Sequence, residues 1–288
     1  MARASYPAYY TFWHILGEYA LKLSAWLVLF FLILPILVII PLSFNAEPFF
    51  SFTQGMLQLD PEAYSLRWYQ GIVENDNWLL AIKNSFFIGI FATLIATTLG
   101  TLAAIGLSSD DMPFKRAIMA LLLSPMIVPL IIIAAGMFFF YTKFSLAGSY
   151  LGLIIAHAAL GVPFVIITVT ATLSNFNRSL YYAGLSLGAS PIRTFFDVVV
   201  PLIRPGVISG AMFAFVTSFD EVVVVLFLAG PGQRTIPRQM FSGLREQINP
   251  TILAVATLLI LVSVLFLLAL ELLRRRSEKM RGLDDTTR

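Results

Sequence analysis

Apolar residues dominate six long runs of the chain, and charged residues lie between these runs. Five runs contain no charged residue: 23–46, 84–109, 117–142, 144–177 and 247–270. The sixth run, 205–233, is interrupted only by the adjacent acids Asp220 and Glu221. A helix needs about 20 apolar residues to cross about 30 Å of hydrocarbon, so each run is long enough for one span. The pattern predicts helices near 24–44, 80–107, 117–141, 150–173, 205–229 and 250–271.

Composition places the chain in a membrane. Hydrophobic residues make up 58% of it and charged residues 12%, whereas soluble domains are about a quarter charged. The apolar runs are continuous and do not alternate as in a membrane barrel, so helices are expected to satisfy the backbone. We therefore expect an all-α integral membrane protein with six transmembrane helices. The first run is too long for a secretory signal and is interpreted as a retained anchor.

The distribution of Lys and Arg predicts the orientation. With the N-terminus inside, most of the 19 basic residues fall on the inner side of the membrane, which is the side that basic residues favour. The chain then divides into a cytoplasmic N-terminal segment (1–23), a transmembrane domain (24–272) and a cytoplasmic basic tail (273–288). A basic tail beside a membrane indicates contact with anionic lipid, and no nucleic-acid partner is expected.

Two connections are longer than simple turns. The outer segment 45–79 is acidic, and a short helix is expected near 61–73, capped by Asp60 and begun by Pro61. It is either an interfacial cover or a contact for an outside partner. The inner segment 174–204 predicts two short helices. The first covers 175–187 and is followed by Gly188 in the left-handed conformation, and the second begins after Ser190 and stops before Pro201. Its apolar side chains either dock a partner, which we favour, or pack on the protein's own helix ends.

The sequence carries no motif for catalysis. Gly184–Gly188 matches the G-x-S-x-G nucleophile elbow, but no histidine follows His157 to serve as its base. The absence of Cys and the presence of only two His exclude thiolate and His-rich metal sites. There is no phosphate-binding loop of the G-x-x-x-x-G-K-[ST] type. The chain is therefore not expected to be an enzyme, and no catalytic or metal-binding residue is assigned.

Asp220 and Glu221 are the candidates for contact with a solute. A carboxylate at bilayer depth costs about 2.5–3.5 kcal/mol on insertion scales, so it needs a partner or water. Asp220 shares a helix stripe with Phe213 and Thr217, and an aromatic ring beside an acid suits a cationic solute. Alternatively, one acid pairs with a base such as Lys83 or caps a broken helix. As neighbours, the two carboxylates point about 100° apart, which does not suit a protease pair.

His157 lies within the fourth predicted span. A buried, hydrogen-bonded histidine is the favoured interpretation, with contact to a solute as the alternative.

The inner segment carries a family resemblance. The stretch from Tyr182 through Pro191 to Val200-Pro201 resembles the EAA loop of binding-protein-dependent ABC importer permeases, with Tyr182 in place of the motif's Glu and Gly184 in place of its second Ala. The resemblance implies a MetI-like fold with cytoplasmic coupling helices that dock on a separate ATPase. The coupling residues so implied are Tyr182, Ala183, Gly184, Gly188, Ala189, Ser190 and Pro191.

Further stretches narrow the resemblance to permeases of the spermidine/putrescine type, and within it to the second, shorter permease of a heterodimeric pair. They are Ser65–Tyr69, Asn84-Ser85, Ser124–Pro129, Ser218–Val224 and Thr235–Pro237. This implies a bacterial inner-membrane protein with a second permease, two ATP-binding subunits and an extracytoplasmic binding protein as partners. ATP and Mg would then be bound by the ATPase, and no cofactor by this chain. The expected cargo is a polyamine. An opine, an amino-acid derivative or another small solute is the first alternative, and a channel without ATP coupling is the second.

Overall fold

The computed structural model of the chain describes residues 11–109, 111–174, 176–246 and 249–280, and regular structure in these ranges is helical. The α-helices in chain order are α1 Phe12–Leu42, α2 Gln54–Leu57, α3 Arg67–Glu74, α4 Asp76–Leu107, α5 Lys115–Leu123, α6 Leu130–Lys143, α7 Tyr150–Ser174, α8 Arg178–Ser186, α9 Pro191–Thr194, α10 Val200–Phe219, α11 Val223–Leu228, α12 Ile236–Glu246 and α13 Thr251–Met280. They form two compact units, Met1–Glu74 with Gln247–Arg288, and Asn75–Glu246.

The apolar runs correspond to helices of membrane-spanning length. Four continuous helical stretches among the described residues are long and apolar enough to cross a membrane: α1, α4, α7 and Pro191–Phe219. The bent pair formed by Lys115–Met126 and α6 passes the same test of length and composition when its two helices are taken together, which gives five spans if the pair is counted as one. The predicted sixth span corresponds to α13, whose apolar part covers Thr251–Leu265. The end of the basic tail, 281–288, lies outside the described residues.

The third predicted span is broken, so the prediction of one continuous helix over 117–141 is wrong. Its two halves meet at an angle of 98°. Pro125 lies in a 3-10 turn, Ser124–Met126, and Pro129 is the N-cap of α6. Each proline lacks an N–H and disfavours helical geometry in the residue before it, so two prolines four residues apart end one helix and begin another.

Small residues hold α4, α7 and α10 together in the unit Asn75–Glu246. A Cβ added to Gly161 would lie 3.0 Å from Ala214 Cβ and 3.2 Å from Ala96 Cβ. A Cβ added to Gly210 would lie 2.8 Å from the Cα of Val165. Without a hydrophobic driving force between helices in lipid, such close backbone contact is what stabilises a helix bundle.

A second buried cluster surrounds the short helix α11. Val224, Val225 and Leu228 are buried together with apolar residues of α4, α6 and α7, namely Ile88, Ala134, Tyr141, Leu153, Ile154, Ala156 and Leu160. Helix α11 is therefore part of the core of this unit, even though it has only 6 residues.

The other unit contains the 43–66 connection between α1 and α3. Asp60 accepts a hydrogen bond from Glu62 N at 3.1 Å and caps a 3-10 turn at Pro61–Ala63, as predicted. Tyr64 then pairs with Asn45 in an isolated β-bridge before α3 begins at Arg67. The prediction of one helix near 61–73 is therefore wrong, because this bridge holds extended backbone between two separate helical pieces.

Candidate functional site

An exposed stripe on α10 carries the predicted solute-contact residues. Phe213 is 53% exposed, and Val216 and Asp220 are exposed on the same side, because residues three and four apart share a helix face. The opposite side of α10 is buried against its neighbours. Thr217 is half-buried at the border of the two sides. The stripe therefore brings together an aromatic ring and a carboxylate, with a hydroxyl beside them.

The backbone breaks where the two acids lie. Helix α10 ends at Phe219, and α11 begins at Val223. Glu221 is only 7% exposed, and its Oε1 accepts a hydrogen bond from Val224 N at 2.8 Å. The prediction of a continuous helix over 205–229 is therefore wrong. The first N–H groups of a helix have no partner within it, and here a buried carboxylate supplies one.

The two acids thus lie in different surroundings. Glu221 caps α11, which is one of the structural roles left open by the sequence, while the side chain of Asp220 lies on the exposed stripe. Contact of either acid with a solute stays a prediction.

His157 connects α7 to the end of α10. Its Nδ1 lies 2.8 Å from Ser218 Oγ, and both side chains are buried. This confirms the interpretation of His157 as a buried, hydrogen-bonded residue. The bond fixes α10 to α7 two residues before Asp220, so the carboxylate of Asp220 projects from a well-anchored helix end.

An aromatic pair lies beside the exposed stripe of α10, about two turns before Asp220 at the end of that stripe. Phe164 of α7 stacks on Phe213 with ring centroids 6.1 Å apart and an interplanar angle of 19°. Phe164 is half-buried, and no motif or charge near it indicated this position. The faces of two aromatic rings are a suitable surface for a cation.

The segment 177–199 forms the predicted bent pair of short helices. Asn177 caps α8, Gly188 has φ +88°, and Ser190 Oγ accepts a hydrogen bond from Arg193 N at 3.3 Å with Pro191 at the first helical position. A Cβ added to Gly184 would lie 2.8 Å from Thr194 Cγ2, so this glycine lets α8 pack closely on α9.

The second short helix does not stop before Pro201, as the sequence predicted. A π-helical turn, Phe195–Val199, joins α9 to α10 without interruption. In a π turn the backbone bonds reach one residue further, and Val200 N bonds to Phe195 O. The wider turn accommodates the ring of Pro201 and its missing N–H. One helical rod therefore runs from the bend at Gly188 to the end of α10.

The apolar side chains of this segment divide between two environments. Tyr181 and Phe195 pack against buried apolar residues of α4, α7 and α10, among them Ala104, Val169 and Ile203. Leu187 is 89% exposed, and Tyr182, Ile192 and Phe196 are also exposed. Among the remaining residues implied by the resemblance, Ala183 and Pro191 are exposed and Ala189 is half-buried. The segment is thus anchored on one side and apolar on its outward side, and its contact with an ATPase stays a prediction.

Residues 96–279 match the family described as the binding-protein-dependent transport system inner membrane component. This range covers most of the chain and includes the whole segment 177–199 together with the α10 stripe. The chain belongs to this family. It is a permease subunit of an ABC importer, which confirms the predicted fold and function class and places it in a multi-pass membrane family.

Two curated relatives match the permease over nearly its whole length. It is 30% identical over 268 residues to the putrescine transport system permease protein PotI of Escherichia coli (strain K12), which covers 88% of this chain and 90% of that protein. It is 28% identical over 254 residues to the spermidine/putrescine transport system permease protein PotC of Shigella flexneri, which covers 88% of this chain and 93% of that one.

Solved structures share the fold of the permease. A crystal structure of a bacterial ABC transporter involved in the import of the acidic polysaccharide alginate matches with a TM-score of 0.68 at 14% identity, over 92% of this chain and 99% of that chain. A second, of the alginate transporter in complex with an alginate pentasaccharide-bound periplasmic protein, matches with a TM-score of 0.62 at 17% identity, over 88% and 92%.

The structure also assigns contacts to two stretches that the sequence marked only by resemblance. Asn84-Ser85 of α4 and the segment before Pro237 lie against each other: Ser85 Oγ accepts a hydrogen bond from Ile236 N at 2.8 Å. No sequence pattern indicated this contact, since the two bonded residues are 151 positions apart.

Proposed function

We propose that this permease transports polyamines. Its relatives are named as putrescine and spermidine/putrescine permeases and match it over most of its length. The observation that carries the proposal is the exposed carboxylate of Asp220, which ends the stripe bearing the Phe164–Phe213 pair. One ammonium group of the solute would be held by this carboxylate, and the ring faces, about two helical turns away, would contact a second part of the extended cation.

The partners we propose are a second permease, two ATP-binding subunits that hold ATP and Mg, and an extracytoplasmic binding protein. Both termini of the permease would lie in the cytoplasm, which is the side favoured by its basic residues. The exposed face of the segment 177–199 would then dock on an ATP-binding subunit.

The continuous rod offers a path from the ATPase to the solute. Movement of the bend at Gly188 would pass through α9 and the π turn to α10 and so to Asp220. The guanidinium of Arg178, at the start of α8, donates to Ser108 O at 2.8 Å beyond the end of α4, which connects the same segment to a second helix. Such rigid-body movement of packed helices is how alternating access is achieved.

Asp220→Asn is expected to weaken polyamine transport. Hydrogen bonds to charged groups contribute about 1.5–3 kcal/mol, so the apparent KM for putrescine should rise about tenfold in the variant. The measurement is uptake of radiolabelled putrescine into proteoliposomes that contain the assembled transporter and its binding protein. Asp111→Asn, which changes an exposed acid outside the stripe, should leave the KM unchanged.

Two results would contradict the proposal. If Asp220→Asn and Glu221→Gln both leave polyamine uptake unchanged, the acids do not form the solute path. If the wild-type transporter takes up an opine or an amino-acid derivative but neither putrescine nor spermidine, the cargo is wrong and the importer assignment stays.

A further inference from the structure

A buried amide on α4 holds the loop that follows α11. The side chain of Asn84 is 2% exposed, and its Nδ2 donates two hydrogen bonds, to Gly232 O at 2.9 Å and to Arg234 O at 2.8 Å. The two N–H groups of one amide are thus both used on backbone carbonyls of the segment 229–236. A buried amide in this position fixes the loop, because a displaced loop would leave these donors unpaired.

Tyr150, at the start of α7, completes this contact. Its Oη lies 2.9 Å from both Asn84 Oδ1 and Gly232 O and can donate its proton to either. The backbone of the α6–α7 connection adds a further bond, from Gly148 N to Leu228 O at 2.7 Å. The loop is therefore bonded to α4 and to the beginning of α7 at the same time.

Hydrogen bonds within the chain stretch 229–238 also hold the segment 229–236 in one conformation. Arg238 of α12 donates to Ala229 O and Gly230 O at 3.1 and 2.9 Å, and Gln233 Oε1 accepts from Gly230 N at 2.9 Å. Together with the buried helix α11, these bonds make the segment 223–236 a single rigid piece packed on α4 and α7.

We propose that Asn84 is the positioning residue that makes the segment 223–236 move together with α4 and α7 during transport. Helix α10 is itself held on α4 and α7 by close packing and by the His157–Ser218 bond, so the segment then moves together with the ATPase-driven rod. Loss of the Asn84 bonds frees the segment 229–236 from α4. Movement of the helices then no longer moves this segment, and the solute path no longer opens and closes with each ATPase cycle. This proposal rests on the proposed ATP-driven import of a solute.

The test compares Asn84→Asp with wild type in the reconstituted complex. Aspartate has the shape of asparagine but replaces Nδ2, which carries both N–H donors, with an oxygen that faces the carbonyl oxygens of Gly232 and Arg234. The amount of putrescine transported per ATP hydrolysed is expected to fall about tenfold, because the hydrolysis continues while the loop is loose. Tyr150→Phe, which leaves both amide donors in place, should give a smaller fall. Asn77→Asp is the matched control, an exposed residue on the same helix, and should behave as wild type.

Loop mobility gives a second measurement that does not depend on the solute. The chain has no Cys, so Gly232→Cys provides a unique labelling site, where an added Cβ meets nothing within 4 Å. A spin label there should be immobile in the otherwise wild-type chain and mobile in the Asn84→Asp variant.

The outcomes distinguish positioning from a role in folding alone. If Asn84→Asp lowers uptake and ATP hydrolysis by the same factor, or leaves the label immobile, the proposal is wrong. A mobile label together with a transporter that imports another solute would keep the positioning role and reject the polyamine cargo.

Discussion

Replacing Leu187 with Glu is expected to separate the permease from its ATPase. Leu187 lies at the bend between α8 and α9 and is 89% exposed, so the change removes no packing within the chain. Burial of a leucine side chain in a partner contributes about 1.5–3 kcal/mol, and a carboxylate placed there adds the cost of burying an unpaired charge. Association with the ATP-binding subunits should therefore fall about a hundredfold or more. Co-purification of these subunits with the tagged permease measures the effect directly.

The matched control for Leu187→Glu is Leu57→Glu. Leu57 is also strongly exposed, at 71%, but it lies in the 43–66 connection, which is predicted to be on the other side of the membrane. This variant should retain the ATP-binding subunits. If Leu187→Glu retains them as well, together with normal uptake, the outward apolar face of the segment 177–199 is not the docking surface.

The positions of the spans could be predicted from the sequence because the free-energy cost of placing a charged side chain in hydrocarbon decides them. Charged side chains are excluded from hydrocarbon, so the gaps between charged residues predict where the spans lie. The ends of α4 and α7 and the C-terminal end of α1 lie within one or two helical turns of the ends of these gaps. Helix α1 is the exception at its start, since it begins at Phe12 and so includes residues assigned to the cytoplasmic segment 1–23. A helix is not confined to the apolar part of its own sequence.

The breaks within spans did not follow from hydropathy. Pro125 and Pro129 lie inside the predicted span 117–141, but a proline alone does not say whether a helix bends or ends. At Asp220–Val222 the sequence offered a continuous helix as readily as a capped break. The difference depends on the bond between Glu221 and Val224 N and on the burial of α11. Neither of these is visible in a local pattern.

The part of the candidate site that lies on α10 could be predicted from the sequence. Phe213, Thr217 and Asp220 share a stripe by helix periodicity, and the structure keeps them on or beside one exposed face. Phe164 and Asn84 could not be found in this way, because their partners lie on other helices. The packing of α7 on α10 brings Phe164 to its partner, and the packing of the segment 223–236 on α4 does the same for Asn84.

Gly210→Leu is expected to prevent the unit Asn75–Glu246 from folding. Even the first side-chain atom added to Gly210 would lie 2.8 Å from the Cα of Val165, a backbone atom that cannot rotate away. Helices α7 and α10 would have to separate, and overpacking of this kind costs about 1–3 kcal/mol for a modest side chain and more for a branched one. Separation would also lengthen the bond between His157 and Ser218, which joins the same two helices about two turns further along. Gly210→Ala should give an intermediate loss of folded permease, measured as the detergent-stable fraction in size-exclusion chromatography.

Gly136→Leu is the control, since a Cβ at Gly136 of α6 meets nothing within 4 Å. There a larger residue gains about 1 kcal/mol of helix propensity relative to glycine, and the fraction of folded permease should not fall. The comparison separates the intrinsic effect of glycine from the effect of contact between helices. Equal losses from both substitutions would mean that glycine is needed in these helices for its backbone freedom. Equal tolerance would mean that α7 and α10 are not in close backbone contact at Gly210, and the anchoring of the Asp220 end of α10 would then have to depend on the His157–Ser218 bond.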